Sequence, residues 1–422
     1  MQQVFASIIT IGDELLIGQV TDTNSPWMAQ ELNKIGVWLK RRVAVGDLRE
    51  EIVHALDEQK KDTQIIIMTG GLGPTADDIT KEVLNDYFGG RMIMDQKTLD
   101  HIYYLFEQVY RRPIIQRNLD QALVPDVCTV LFNERGSAPG MWFEQDGRIF
   151  VSLPGVPHEM KGLMQKEVLP RLQQYFTMPF ISHRTLLTAG VGESFLAEMI
   201  KDWEAQLPSH IKLAYLPHYS MVRLRITGSS SDKEQLEKDL DNEFSKLKKL
   251  IAEHIVVDQD IPLQEAIGNL LKKNNSTLGT AESCTGGYIA HMITSIAGSS
   301  DYFNGSIVSY ANQVKQDVLH VSQQTLQQDG AVSEATVKQM VAGALETLKT
   351  DYALATSGIM GPGGGSEQKP VGTVWVAAGN RHAVITQQFH FRFDRTRNIE
   401  MTAINALNLL RKFIIEQSAN DC

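Results

Sequence analysis

The chain is poor in cysteine. Only Cys128, Cys284 and Cys422 occur in 422 residues, far apart and without metal-ligand spacing. That excludes a disulfide-stapled scaffold and a cysteine-built zinc site, and favours a reducing compartment. Positive charge is also short: 40 Lys and Arg stand against 50 Asp and Glu, a net charge of −10. The chain as a whole therefore presents no basic nucleic-acid footprint. No apolar run reaches membrane-spanning length, and the start lacks the basic-then-apolar pattern of a secretory signal. A cytoplasmic protein with no membrane contact is expected. Two familiar nucleotide signatures are missing as well: the glycine-rich loops carry neither the lysine of a P-loop nor the dinucleotide fingerprint.

What is present is a globular composition, 43% hydrophobic and 21% charged, in a chain too long for one ordinary core. Two or three domains are expected. In the first, short apolar runs at Val4–Thr10, Val43–Gly46 and Gln64–Met68 read as buried strands. Helical patterns lie between them, one opened by Thr23-Asn24-Ser25-Pro26 and one over Arg49–Glu58. Alternating strands and helices argue for an α/β domain with a parallel sheet and ligands at its strand ends. The first strand delivers Gly12-Asp13-Glu14. The third runs into Gly70-Gly71-Leu72-Gly73-Pro74-Thr75, followed by Asp77 and Asp78. Glycines at a strand end, then Thr75 with an acid three residues later, describe a phosphate-cradling loop that opens a capped helix. Asp77 and Asp78 either cap that helix or bind a divalent cation bridging a phosphate. Two further turn-rich loops follow, Asn133–Gly140 and Leu153–Met160, with Glu159 opening the next helix.

The pattern changes between Arg184 and Val257. Strand, short helix, two strands and a long amphipathic helix with Leu236, Leu240, Phe244, Leu247 and Ile251 on one face make a small α+β module. Lys246, Lys248 and Lys249 share that helix with acids mixed along it, and the module has no Gly-x-x-Gly clamp. A solvated charged face fits better than RNA contact.

The strongest chemistry lies between Thr280 and Lys315. A strand ends in Glu282-Ser283-Cys284-Thr285, then Gly286 and Gly287 open a helix. Such a junction exposes backbone N–H groups that suit an anion or a developing oxyanion. Ser300, Tyr310 and Lys315 follow. A serine hydroxyl attacks only when its proton is removed, and a lysine removes it only when uncharged, hence desolvated. Ser300 with Lys315, helped by Tyr310, makes a candidate hydrolytic set; a loop serine and a solvated lysine are the plain alternative. Cys284 reads as a small buried thiol beneath the turn. Later, Thr356-Ser357-Gly358 ends a buried strand and leads into a glycine-rich loop, and Arg395-Thr396-Arg397 opens the last helix. Arg397 there opposes the helix dipole, a misfit that a bound phosphate or carboxylate resolves.

These motifs carry a resemblance. Ala281–Gly287, Gly298-Ser-Ser300, Tyr310-x-Asn312-x-x-Lys315, Gly330-Ala-Val-Ser333 and Lys369-Pro-Val-Gly372 resemble the CinA C-terminal domain. The resemblance implies hydrolysis of the carboxamide of nicotinamide mononucleotide, to nicotinate mononucleotide and ammonia. It implies Ser300 as nucleophile, Lys315 as base and Tyr310 as its neighbour, with no cofactor. Candidate substrate contacts are Ser283, Thr285, Gly286, Gly287, Asn312, Thr356, Ser357, Gly358 and Arg397. The N-terminal loops are similar to the molybdopterin-binding fold as it occurs in CinA proteins. That branch implies hydrolysis of ADP-ribose to AMP and ribose 5-phosphate with a divalent metal, cobalt, magnesium or manganese, and potassium as a helper ion. Asp13, Glu14, Asp78 and Glu159 become candidate metal or water-positioning residues, and Asn24, Gly70, Gly71, Gly73 and Thr75 candidate substrate contacts. The middle module resembles the KH-like linker of CinA proteins.

The expectation is therefore three domains. A molybdopterin-binding-like domain spans 1–175, an α+β linker 176–258 and a C-terminal α/β deamidase domain 259–422. Together they would make a bifunctional enzyme of pyridine-nucleotide salvage, forming a homodimer, with small nucleotides as its partners and no nucleic acid. The competing expectations are a pterin-binding or pterin-modifying protein and a non-catalytic protein of competence or DNA damage.

Overall fold

The computed structural model describes residues 3–218 and 221–420; Cys422 lies outside them. The chain divides into two compact units, one built from 1–182 with 228–239, the other from 183–227 with 240–422. No helix among the described residues is long and apolar enough to cross a membrane.

The first unit is organised by strands that the sequence marks as continuous apolar runs. Phe5–Ile11 and Ile65–Thr69 are almost wholly buried, as strands covered on both faces must be. They lie side by side and parallel, with Trp38–Val45 beyond the first and Arg148–Leu153 beyond the second. The expectation of a parallel sheet needs one correction. Gly140–Gln145 and Thr129–Leu131 complete the six-stranded sheet as antiparallel strands. A short connection joins Gln145 to Arg148, and so short a link permits only a hairpin. One face of the sheet packs on a core including Met28, Leu32, Leu163 and Leu172. The other packs on Ile52, Leu56, Val83 and Leu84.

The chain leaves Phe5–Ile11 toward one edge of the sheet and returns to Ile65–Thr69 on the other side. Between those two strands the winding reverses, which opens a crevice beyond their C-terminal ends. Gly12 and Gly70 stand at its lip. Gly70 has φ 113°, and a Cβ there would lie 2.2 Å from the Ile11 carbonyl oxygen. Only glycine lets the two strand ends approach so closely. The loop that follows is not the capped helix start that the spacing suggested. Its helix begins only at Thr80, and Asp78 folds back to accept from the Thr75 amide at 2.9 Å and from the Thr75 hydroxyl. At the first long helix, Asn24–Lys34, the cap is likewise Asp22, which accepts from the amide and hydroxyl of Ser25.

Two further sheets follow along the chain. The middle module has the order Ile211–His218, Met221–Ser230, Phe180–Ala189, Ile255–Val257. The helix Lys233–Leu250 buries Leu236, Leu240, Phe244 and Leu247. The C-terminal sheet has five strands in the order Phe303–Val308, Leu278–Glu282, Tyr352–Gly358, Thr373–Gly379, Val384–His390. The first three are parallel and the last two antiparallel. The winding again reverses about its first strand, Leu278–Glu282, and the crevice falls just after Glu282.

Lys81 is a buried cation of the first unit. It is 9% exposed, and its Nζ donates to the Gln121 carbonyl at 2.9 Å. Burial pushes the ammonium down to about 8 from an ordinary 10.5. Between those values the unfolded chain holds a proton that the folded chain has released, so stability rises with pH across that window. A shift of this size corresponds to roughly 3 kcal/mol. Lys81→Met should therefore flatten the rise in melting temperature of the first unit between about pH 8 and pH 10 relative to the unsubstituted chain. Calorimetric scans of both proteins across that range check it.

Candidate functional site

Two crevices at strand ends collect the residues singled out by the sequence. In the first unit a cavity of about 460 Å³ is lined by Glu14, Asn24, Gly70, Gly71, Gly73, Asp78 and Glu159. Thr75 lines an adjoining cavity of about 230 Å³ instead. Asp13 holds the wall behind the larger one: its amide donates to Asp47 Oδ2 at 3.1 Å, and its Oδ1 accepts from the Asp47 amide at 3.4 Å. Asn24 is oriented by its Nδ2, which donates to the Gly155 carbonyl at 2.7 Å.

The acids of this cavity fall into two groups. Asp47 lines the cavity and is raised above the usual carboxylate range. Burial is the main cause, against the bond from Asp13, and the charges of Asp13, Glu14 and Asp77 add to it. Glu159 stands apart from that group. Burial raises it too, opposed by a hydrogen bond from Asn133 Nδ2 at 2.6 Å. Asn133 is itself 4% exposed, and the same Nδ2 donates to the Ala138 carbonyl. Asp47 and Asn133 were not singled out from the sequence for chemistry. An aspartate one residue beyond the strand-ending Gly46 was the available signal for the first.

Among the described residues, no three acidic, histidine or cysteine side chains converge closely enough to hold an ion. Asp13, Glu14, Asp78 and Glu159 do not form one closed ligand set. The acids present suit only an ion that takes one or two carboxylates and completes its shell with water and substrate phosphate.

In the second unit the geometry selects a different serine. Lys315 is 1% exposed, on the short helix Asn312–Asp317. Its Nζ donates to Ser283 Oγ at 3.0 Å and to the Ser309 carbonyl at 2.6 Å. Among the described residues no carboxylate pairs with it. Burial therefore lowers its basicity from the ordinary 10.5, offset in part by Cys284. Ser300 is not there. It lies on the turn Ser299–Asp301, before the strand Phe303–Val308. That strand runs parallel to Leu278–Glu282 with Phe303 opposite Leu278 and Val308 opposite Glu282. Ser300 thus sits at the N-terminal end of the sheet and Ser283 at the C-terminal end. At about 3.3 Å per residue the strand separates them by roughly 17 Å. Spacing in sequence hid this, because an entire strand intervenes between Ser300 and Lys315. The pairing of Ser300 with Lys315 is corrected to Ser283 with Lys315.

Other expectations move with it. Gly286 and Gly287 were expected to offer free amides, but the Gly286 amide donates to the Ser283 carbonyl at 3.3 Å. Glu282 takes those of Gly287, Ile289 and Ala290 at 3.0, 3.1 and 2.8 Å. This carboxylate is fully buried and caps the helix Tyr288–Thr294. Thr285 Oγ1 lies 2.8 Å from Thr356 Oγ1, and the Thr356 carbonyl accepts from the Ser283 amide at 3.0 Å. Ser357 Oγ donates to the Ala331 carbonyl at 2.7 Å, and Gly358 ends the strand. Asn312 opens the Lys315 helix in an exposed position. Tyr310 is 64% exposed, and its hydroxyl accepts from Arg395 Nη2 at 3.0 Å. Arg395 also donates to the Gly361 carbonyl at 2.8 Å, tying the glycine-rich loop to Tyr310. The guanidinium of Arg397 stacks 4.2 Å over the Phe393 ring. Arg395 was visible in the sequence only as the neighbour of Arg397. Cys284 is 6% exposed, with its thiol pushed up to about 12 by burial, which makes it a packing residue rather than a nucleophile.

Comparison with known proteins gives three matched segments. Residues 7–174 match the family model described as a probable molybdopterin binding domain. Residues 183–256 match the damage-inducible protein CinA KH domain, and 260–414 the CinA C-terminal domain. A CinA-like protein of Cytophaga hutchinsonii is 45% identical over 98% of this chain and 99% of its own. A CinA-like protein of Flavobacterium psychrophilum is 44% identical over 97% and 99%. Among solved structures, a competence/damage inducible protein from Agrobacterium tumefaciens is 41% identical. It covers 35% of this chain and 91% of its own, with a TM-score of 0.35.

The Glu282 cap has a measurable consequence for stability. Glu282→Leu leaves three helix N–H groups without an acceptor, and each such buried donor costs about 1–3 kcal/mol. The variant should lose roughly 3 kcal/mol or more in chemical denaturation, whereas Asp301→Leu on the exposed turn should change little.

Proposed function

The chain belongs to the CinA family, and on that premise we propose that it is a bifunctional hydrolase of pyridine nucleotides. The second unit deamidates nicotinamide mononucleotide, and the first cleaves ADP-ribose. The observation that carries the deamidase reading is the buried Lys315 amine, 3.0 Å from Ser283 Oγ and without a carboxylate partner among the described residues. An amine so placed sheds its charge more readily than a solvated lysine and can act as a base.

Ser283 Oγ attacks the carboxamide carbon as its proton passes to Lys315, and the carbonyl electron pair moves onto oxygen. Collapse of the adduct re-forms the C=O bond and breaks the C–N bond. Lys315 returns the proton to the departing nitrogen, releasing ammonia and leaving an ester on Ser283. Water then attacks that ester, with its proton taken by Lys315. Collapse frees the carboxylate and restores the serine hydroxyl. Arg395 and Arg397 at the start of the last helix supply positive charge for the nucleotide phosphate, and the exposed Tyr310 ring offers a face to the pyridine.

For the first unit, the cavity at the switch point supports the ADP-ribose reading. The glycine loop Gly70–Gly73 brings backbone close to a pyrophosphate, and Glu159, held by Asn133, is placed to take a proton from water. A divalent ion arriving on the substrate phosphates would be held by one or two of Glu14, Asp47 and Asp78, neutralising the pyrophosphate charge. The match of residues 7–174 to a molybdopterin binding domain favours a second reading of this cavity, as a pterin site. Turnover of ADP-ribose by protein that carries no pterin separates the two.

Ser283→Ala should abolish ammonia release from nicotinamide mononucleotide and spare ADP-ribose cleavage, while Ser300→Ala keeps ammonia release within about threefold. Loss of ammonia release in Ser300→Ala and its retention in Ser283→Ala would sink the reading. Because Lys315 must be uncharged to act and burial holds it below 10.5, kcat/KM for deamidation should rise with pH and level off below that value. A chelator should stop ADP-ribose cleavage and leave deamidation unchanged.

A further inference from the structure

Counting the backbone donors around Ser283 leaves two over. The Ser283 amide is taken by Thr356, that of Gly286 by Ser283, and that of Tyr288 by Thr285. Glu282 takes those of Gly287, Ile289 and Ala290. Among the described residues the amides of Cys284 and Thr285 donate to no oxygen, and that of Cys284 meets only its own thiol. Both residues are buried, at 6% and 3% exposure. Buried backbone donors without a partner are rare, because each forfeits its hydration for nothing. These two directly follow the serine that faces Lys315.

We propose that the main-chain N–H groups of Cys284 and Thr285 form the oxyanion hole of the deamidase site, with Glu282 as the positioning residue that holds them. The proposal rests on the reading of Ser283 as nucleophile. As Oγ bonds to the carboxamide carbon, the carbonyl oxygen gains a full negative charge, and two fixed amides beside the nucleophile stabilise it without reorganising. Glu282 decides which donors remain for that task. It fills the helix N-terminus with its own carboxylate, so the helix amides are spent on structure and a second anion there would be repelled. Through bonds to residues 287, 289 and 290 it anchors the far end of the loop. The near end is anchored by the Ser283 amide on Thr356 and by the Thr285 and Thr356 hydroxyls. A segment pinned at both ends cannot turn its middle amides inward to find acceptors.

The direct test replaces Thr285 in the full chain by its α-hydroxy acid, which exchanges the N–H for oxygen and keeps the side chain. Loss of one such donor should lower kcat for nicotinamide mononucleotide by about 10²–10³-fold, with KM changed less than about threefold. A pyridine aldehyde nucleotide, which adds to serine as a tetrahedral adduct, should lose affinity by a similar factor. Glu282→Gln is the second variant. Its amide nitrogen faces the Ala290 N–H or another helix donor, so the loop relaxes while the fold is kept. It should show the same split, a lower kcat with KM nearly unchanged. A Thr285 ester variant with kcat within threefold of the parent overturns the proposal, and so does equal weakening of substrate and aldehyde in Glu282→Gln. Should the ester variant not fold, the Glu282→Gln comparison decides alone. Ser283→Ala separates the levels. If it still releases ammonia, the nucleophile reading itself falls. If it is inactive while the ester variant is not, only the oxyanion hole falls.

Discussion

An amine buried beside a hydroxyl, with no carboxylate among the described residues to neutralise it, is the constraint around which the second unit is built. Among the described residues Lys315 is held by a carbonyl and a serine. Both accept hydrogen bonds, and neither supplies a full negative charge. In water an ammonium is cheap; here each proton on Lys315 works against desolvation. The fold maintains that arrangement rigidly. Ser283 follows a fully buried strand, Ser309 follows the strand beside it, and the two strands are in register. The Ser309 amide donates to the Glu282 carbonyl at 2.8 Å, which extends the sheet ladder up to the site itself. The positions of the base and the hydroxyl are thus consequences of strand pairing rather than of loop conformation.

The same winding produces both crevices. In each unit the first strand of the parallel set lies inside the sheet, and the chain leaves it on one side and returns on the other. Loops after neighbouring strands then diverge and leave a gap. What fills the gap differs. The first unit lines it with acids and glycines around an open cavity. The second lines it with hydroxyls, main-chain groups and one lysine. One topology therefore carries two differently lined crevices, with the difference carried by residues within a few positions of the strand ends.

Much of this was legible in the sequence, for a physical reason. Buried strands announce themselves as apolar runs, and the turn glycines mark where they end, so the parallel core and the strand-end loops were placed correctly. The antiparallel edge strands of the first unit were visible as strands, but the direction of pairing was not written in their composition. The site was legible as a set of segments and not as a set of contacts. Ser300 and Ser283 carry the same functional group on either side of one helix, and residue type does not say which end of a sheet a turn occupies. The direction of the hydrogen bonds was equally hidden. Glycines at a strand-to-helix junction suggest free amides, yet a glutamate one residue before Ser283 consumes three of them. Arg395 was overlooked for a similar reason. Two arginines share a helix start, and only the fold shows which reaches Tyr310 and Gly361.

Glu282 and Lys315 are an acid and an amine, both buried, and they form no ion pair among the described residues. Pairing would be the obvious way to lower the electrostatic burden of both. It would also fix the proton on Lys315, since a carboxylate within contact distance raises a lysine rather than lowering it. The structure avoids this by satisfying each group with a different partner class. The carboxylate is surrounded by N–H and hydroxyl donors, five in number, from the helix and from Thr280 and Ser306. Its charge is spread into a helix N-terminus, where it is stabilising at short range and screened beyond it. Among the described residues the amine donates to neutral acceptors. Separate satisfaction of the acid leaves the amine without a counter-charge, and the residue that follows the acid in sequence is the serine the amine contacts.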